Sequence, residues 1–191
     1  MLYLKRNNSS YEVTKNDSIK DFGIYLSSNL TFTQHHDIAA EKGYAVVNML
    51  RRTFPRITKA DFKFLFSTYV RPILEYASQV VTTGLAKDAN IVEKVQRRAT
   101  KMVTGLYNVP YETRLQVLNL YPLDCRRLRG DLIFTYVQFS QKKEDEIFQT
   151  AGPSNLRGHE RKLFKRHART SLRLNFFPLE WSQPGIAYLQ A

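Results

Sequence analysis

The stretch Asp88 to Thr104, DANIVEKVQRRATKMVT, reads as one amphipathic helix, and its two sides decide the rest of the chain. Ile91, Val92, Val95, Ala99, Met102 and Val103 recur at three- and four-residue spacing, so they form a single apolar stripe that must be buried against something. Lys94, Arg97, Arg98 and Lys101 lie on the other side at the same spacing, a cation row suited to following a phosphate backbone. A solvated outer face accounts for such a row equally simply, and both readings stay open at this point. Asn90 and Glu93 are placed to form a capping box, and Gly105 to end the helix in the left-handed conformation.

The helical period extends to both sides of this stretch. A first helix is expected over about 34–54, with Ile38, Ala45, Val46, Met49 and Leu50 facing inward and Pro55 stopping it. Thr58 is placed to cap a second, in which Phe62, Leu65, Phe66, Tyr69, Val70, Ile73 and Leu74 form an apolar face that Pro72 should kink. A short helix beginning at Pro110 and a longer one over about 123–141 complete a helical bundle. Strand character is confined to the N-terminal region. There, 11–15 and 19–26 flank the turn formers Asn16, Asp17 and Ser18. The expected organisation is a β-hairpin unit over 1–30, a helical bundle over 31–148, a linker over 149–155 and a basic, aromatic, partly ordered tail over 156–191. In that tail Arg157, Arg161, Lys162, Lys165, Arg166, Arg169 and Arg173 face only Glu160, with Leu163, Phe164, Leu172, Leu174, Phe176 and Phe177 interleaved. Surfaces that hold single strands often mix charge and rings in this way, but a loosely docked tail fits too.

Composition narrows the class of function. With 29 Lys and Arg against 17 Asp and Glu, the formal net charge is +12, which attracts polyanions, nucleic acid and anionic membrane surfaces alike. The 43% of hydrophobic residues is too many for a disordered basic tail, so a packed core is expected. The single Cys125 excludes an internal disulfide and a zinc knuckle, and points to a reducing, intracellular setting. Neither a signal peptide nor a bilayer-length apolar run is legible, so secretion and a membrane partner are not expected.

Motifs for other chemistries are missing or poorly spaced. His35, His36 and Asp37 are adjacent and point apart, so surface histidines at the start of a helix are expected; His159 and His167 lack partners at ligand spacing. The acidic cluster Glu144, Asp145 and Glu146 sits beside lysines at a helix end, without a strand turn to aim it at metal. No metal site is expected.

Three ordered blocks, VRPILEYASQVV (Val70 to Val81), VEKVQRRATKMVTGL (Val92 to Leu106) and YETRLQVLNLYPLDCRRLRGDLIFTY (Tyr111 to Tyr136), closely resemble the thumb region of reverse transcriptases encoded by non-long-terminal-repeat retrotransposons. Upstream, KDFGIYLSSNLTFTQHHDI (Lys20 to Ile38) resembles the family's primer-grip hairpin and the start of the thumb. Downstream, RGHERKLFKRHARTSLRLNFFPLEW (Arg157 to Trp181) resembles the tail of such elements. Val81 stands where the family commonly has tryptophan, and the segment from Phe177 to Trp181 is shortened.

The resemblance implies a thumb-like bundle that holds a template–primer duplex, RNA–DNA or DNA, by its sugar-phosphate backbone without reading sequence. It implies a primer-grip role for Asp21, Phe22 and Gly23. Duplex contacts would come from Lys94, Arg97, Arg98 and Lys101, from Arg126, Arg127 and Arg129, and from Arg161, Lys165 and Arg166 of the tail. A small hairpin that merely caps the helices, and ion pairing of Arg127 or Arg129 with Asp131 or Glu112, are the competing structural roles. The family's palm holds magnesium through an aromatic-any-Asp-Asp turn that this sequence lacks. No cofactor and no catalysis are therefore expected of the chain alone, and a palm-containing polymerase acting in trans is an expected partner. A helical protein-interaction module without a nucleic-acid role is the alternative, and sequence-specific helix-turn-helix recognition a weaker third reading.

Overall fold

The computed structural model describes residues 2–6, 9–13, 16–82 and 84–140, with only the backbone described for 2–6, 9–13 and 138–140. The expected linker, the tail with Arg161, Lys165 and Arg166, and the acidic cluster at 144–146 lie outside the described residues. Four strands precede a helical bundle: β1 (Leu2–Arg6), β2 (Ser9–Val13), β3 (Ser18–Asp21) and β4 (Ile24–Ser27). The helices are α1 (Thr33–Thr53), α2 (Lys59–Leu65), α3 (Arg71–Leu74), α4 (Ser78–Val81), α5 (Ala86–Ala99), α6 (Tyr111–Leu118) and α7 (Leu123–Ser140).

The strands pair differently from the sequence-based expectation. Instead of one hairpin there are two: β1 pairs antiparallel with β2, Tyr11 lying opposite Leu4, and β3 pairs with β4, Ser18 opposite Ser27. The run over 19–26 is therefore folded back on itself rather than being one strand. Its turn is Phe22-Gly23, both with positive φ (45° and 80°), as a two-residue hairpin loop requires.

Each helix boundary has a local cause. Thr58 accepts from the Asp61 N–H while the Asp61 carboxylate accepts from the Thr58 N–H, a reciprocal capping box that starts α2. Pro72 has no N–H to donate to the preceding turn, and the helix responds with a π-turn over Phe66–Val70, where the Arg71 N–H reaches back to the Phe66 carbonyl. On this element Phe62, Leu65, Phe66, Val70 and Leu74 are buried, whereas Tyr69 is exposed, because the extra residue of the π-turn rotates the face that follows. After α5, Thr100–Met102 forms a 3-10 turn; Gly105 adopts positive φ three residues beyond it.

The bundle is organised around α1 and α5, which run parallel. Thr33 Oγ1 donates to Asp88 Oδ1 at 2.9 Å near their starts, and Arg98 donates to Asn48 Oδ1 at 3.2 Å near their ends. Between these points Gly43 is buried, and a Cβ placed on it would lie 3.0 Å from Leu74 Cδ2 and 3.0 Å from Val95 Cγ1. Small residues set much of the inward face of α1, which is His35, Ala39, Ala40, Gly43, Val47 and Leu50; of the expected positions Leu50 is buried and Val46 packs against the core, whereas Ala45 and Met49 are exposed. Ranking residues by hydrophobicity misplaced this face because close helix approach favours small side chains over long ones. His35 is accordingly buried rather than on the surface, and burial with the nearby His36 and Lys42 lowers its pKa. A parallel bridge between Ile57 and Val103 closes the far end of the core, with the Thr104 N–H donating to the Ile57 carbonyl at 3.1 Å.

Overpacking at the α1–α5 contact is expected to show directly in stability. Gly43→Leu should lower the unfolding free energy by about 1–3 kcal/mol in urea melts. Ala45→Leu, on the exposed side of the same helix, should stay within about 0.5 kcal/mol.

Candidate nucleic-acid interface

Helix α5 buries Val92, Val95, Gln96 and Ala99 and turns Lys94, Arg97, Arg98 and Lys101 outward. Among the described residues none of these four cations has a carboxylate within ion-pair distance. The ion pairs present there involve Arg71, Arg126 and Arg127 instead. Three of the four lie over tyrosine rings: Arg97 is 4.7 Å from the Tyr111 centroid, Arg98 5.7 Å from Tyr44 and Lys101 6.0 Å from Tyr107. A cation over an aromatic face keeps its charge available to solvent on the other side, whereas an ion pair neutralises it. The row is thus oriented but uncompensated.

The structure also lengthens the row. Because α5 begins at Ala86 rather than Asp88, exposed Lys87 enters its first turn, two turns before Lys94 and on the same face. A cation in a first turn is disfavoured by the helix dipole, so helix stability does not explain it. Sequence reading missed Lys87 because the helix start was placed at the first good capping candidate. In the structure Leu85 is the N-cap and provides no side-chain cap, and the expected capping box of Asn90 and Glu93 does not form.

Glu93 does different work. Its carboxylate accepts from the Tyr111 hydroxyl, and its other oxygen accepts from the Leu123 N–H at 2.9 Å, the first residue of α7. Gln96 Nε2 adds bonds to the Tyr111 hydroxyl (3.0 Å) and the Tyr121 carbonyl (3.1 Å). At the other end of α5, buried Arg114 donates to the Arg97 carbonyl at 3.0 Å, placing a guanidinium on the helix's negative end. These bonds fix α6 and α7 against one flank of α5 while α1 holds the other.

Burial, reinforced by the bond to Glu93, pushes the Tyr111 phenol above its ordinary value of 10.0. The folded protein therefore binds this proton more tightly than the unfolded chain, so the associated stability is intact below the ordinary tyrosine range and falls as pH rises through it. Urea midpoints measured between about pH 8 and pH 11 should fall less steeply in Tyr111→Phe than in the wild type.

The α7 arginines are arranged otherwise than the row. Arg126 donates to both oxygens of Glu75, at 2.6 and 3.3 Å, and Arg127 donates to Asp124 at 3.3 Å and to buried Asp131 at 2.9 Å. Of the competing roles raised for Arg127, the pair with Asp131 forms; among the described residues no ion pair involves Glu112, and Arg126 meets Glu75 at the end of α3. Arg129 is exposed on α7. Arg126 and Arg127 line a cavity of about 570 Å³ whose α5 wall is Ala86, Asp88, Ala89 and Val92. Asp88, Ala89 and Val92 lie more than about 100° around α5 from Lys94, so most of this wall is turned away from that cation.

The primer-grip-like residues sit at the tip of the β3–β4 hairpin. Phe22 is 86% exposed, and its carbonyl accepts from the Tyr76 hydroxyl at 2.7 Å, which ties the tip to the loop after α3. Tyr76 is adjacent to Glu75, so the tip is joined to the Arg126 side of the bundle. Among the described residues no group of His, Cys, Asp and Glu could hold a metal ion, and no helix is long and apolar enough to cross a membrane. Comparison with protein-family models, curated proteins and solved structures returned no match.

Because Asp131 is 1% exposed, removing its Arg127 partner should be felt as lost stability rather than lost binding. Arg127→Ala is expected to lower unfolding free energy by about 2–4 kcal/mol while leaving the salt dependence of duplex binding unchanged, as read by urea melts and anisotropy titrations.

Proposed function

We propose that the chain holds nucleic acid through its sugar-phosphate backbone, as a thumb-like element that performs no chemistry of its own. The observation that carries this reading is the α5 row: four outward cations without carboxylate partners among the described residues, three of them steadied by tyrosine rings. Phosphate contacts of this kind position a duplex without conveying sequence. The three blocks that resemble retrotransposon reverse transcriptases support the same assignment, with template and primer as RNA–DNA or DNA duplex. Catalysis, and the magnesium it needs, would belong to a palm-containing polymerase working with this chain. The revised site keeps Lys94, Arg97, Arg98 and Lys101, adds Lys87, and treats Arg126 and Arg127 as structural.

A protein-interaction module is the second reading, favoured by α7, which buries Asp131 and Thr135 yet leaves Leu128, Ile133 and Val137 exposed. That module would bind no duplex in a salt-sensitive manner.

The quadruple variant K94A/R97A/R98A/K101A separates the two. Its far-UV spectrum should match the wild type, while the slope of log affinity against log salt should flatten by about 0.9 for each phosphate contact removed, up to about 3–4. Full duplex affinity at low salt in this variant would end the proposal.

A further inference from the structure

We propose that the α5 row is one of two cationic rails, the second being Arg51, Arg52 and Arg56, and that the pair is fitted to a double-stranded rather than a single-stranded polyanion. This rests on the backbone-binding reading of α5 and extends it to a part of the chain that neither the sequence patterns nor the resemblance singled out.

Two contacts join the rails. The Arg98 guanidinium lies over the Tyr44 ring and donates to Asn48, which places the Tyr44–Asn48 stripe of α1 immediately beside the row. Positions three and four residues on continue that stripe, so Arg51 and Arg52, both exposed in the last turn of α1, extend it alongside Lys101. Beyond the helix, Ile57 and Val103 are both buried where their backbones bridge. In extended chain the neighbour of an inward residue points outward, and Arg56 is exposed there next to the end of the row. Among the described residues, none of the three arginines has a carboxylate at ion-pair distance.

The spacing and the rings favour a duplex. Packed helices lie about 8–10 Å apart, so the two rails are separated on the scale of a nucleic-acid groove, and each can meet a different strand. A single strand could engage only one rail along its length. Surfaces that grip single strands offer open rings for base stacking. Here Tyr111 is 9% exposed and Tyr44 half-buried, each with a guanidinium over its ring; Tyr107 is the open one of the three.

The test uses the full chain and fluorescence anisotropy with a labelled duplex and a labelled single strand of the same sequence, between about 50 and 200 mM salt. Arg51, Arg52 and Arg56 changed together to Ala should weaken duplex binding about tenfold or more at low salt and flatten its salt slope by about 0.9 per lost contact, with single-strand affinity within about twofold. The corresponding triple change to Lys should retain the wild-type slope. The triple change to Gln keeps length and is read instead if alanine reduces the far-UV helix signal. Unchanged duplex binding in the triple, together with lost binding in the α5 quadruple variant, would remove the second rail and leave the α5 reading intact. Equal losses on duplex and single strand would overturn the double-stranded assignment. Unchanged binding in both variants would defeat the underlying reading as well.

Discussion

The arrangement depends on the Glu93 carboxylate, the one acid in the α5 sequence between the first turn and Lys101. Had it faced solvent, it would have stood beside Lys94 and Arg97 and reduced the charge of the row. It points instead toward α6 and α7, where it takes the Tyr111 hydroxyl and the Leu123 N–H. One residue thus supplies an anion to the positive end of α7, satisfies a buried phenol and leaves the cationic face undiluted. The constraint is mutual, because Tyr111 is also the ring over which Arg97 rests. Moving Glu93 would release both the helix junction and the orientation of one cation.

The same logic explains why arginines of α7 behave differently from those of α5. An arginine adjacent to acids on its own or a packed helix forms bidentate or buried pairs, and its planar donor fork fits that use. Arg126 meets Glu75 and so joins α7 to the segment after α3, while Arg127 meets Asp124 and Asp131 within α7 itself, so both guanidinium groups are already engaged by the bundle. On α5 both acids are engaged elsewhere: Asp88 is buried and accepts from Thr33, and Glu93 accepts from Tyr111 and Leu123. What distinguishes the two sets is the position of acids, not the density of cations.

Much of this was legible in the sequence, with identifiable gaps. Most helices of the bundle followed from periodicity and punctuation: Thr58 as a cap, Pro72 with its disturbed turn, and α6 starting after Pro110; the Asp61 half of the capping box and the short α4 did not. The outward direction of Lys94, Arg97, Arg98 and Lys101 followed from the stripe opposite them. The inward face of α1 did not, since Gly43 and the alanines carry little hydrophobic signal while serving the closest helix contact. The β-hairpins were misread because Phe22 seemed an ordinary strand residue, and its positive φ comes from a turn completed by Gly23. Glu75 with Arg126 is separated by 51 positions in the chain, and nothing local in either segment announces the pair. Lys87 and the Arg51–Arg56 group were missed for a related reason: a cation's significance depends on which elements fold beside it.

The row also carries a cost within the free protein. Lys94 and Arg98 are four apart, as are Arg97 and Lys101, and like charges at that spacing destabilise a helix by a few tenths of a kcal/mol per pair. The C-terminal dipole offsets part of this for Arg97 and Arg98, and the tyrosine rings offset part for three of the four. Among the described residues neither Lys94 nor Lys87 has a carboxylate at ion-pair distance or a ring beneath it, and Lys87 lies at the wrong end of the dipole. A polyanion laid along the row would relieve repulsion at every one of these positions together, so its binding would be coupled to the stability of α5 itself. Such coupling would distinguish a polyanion-binding face from a merely hydrated one, because a face selected only for hydration could interleave acids along the same positions and avoid the repulsion altogether.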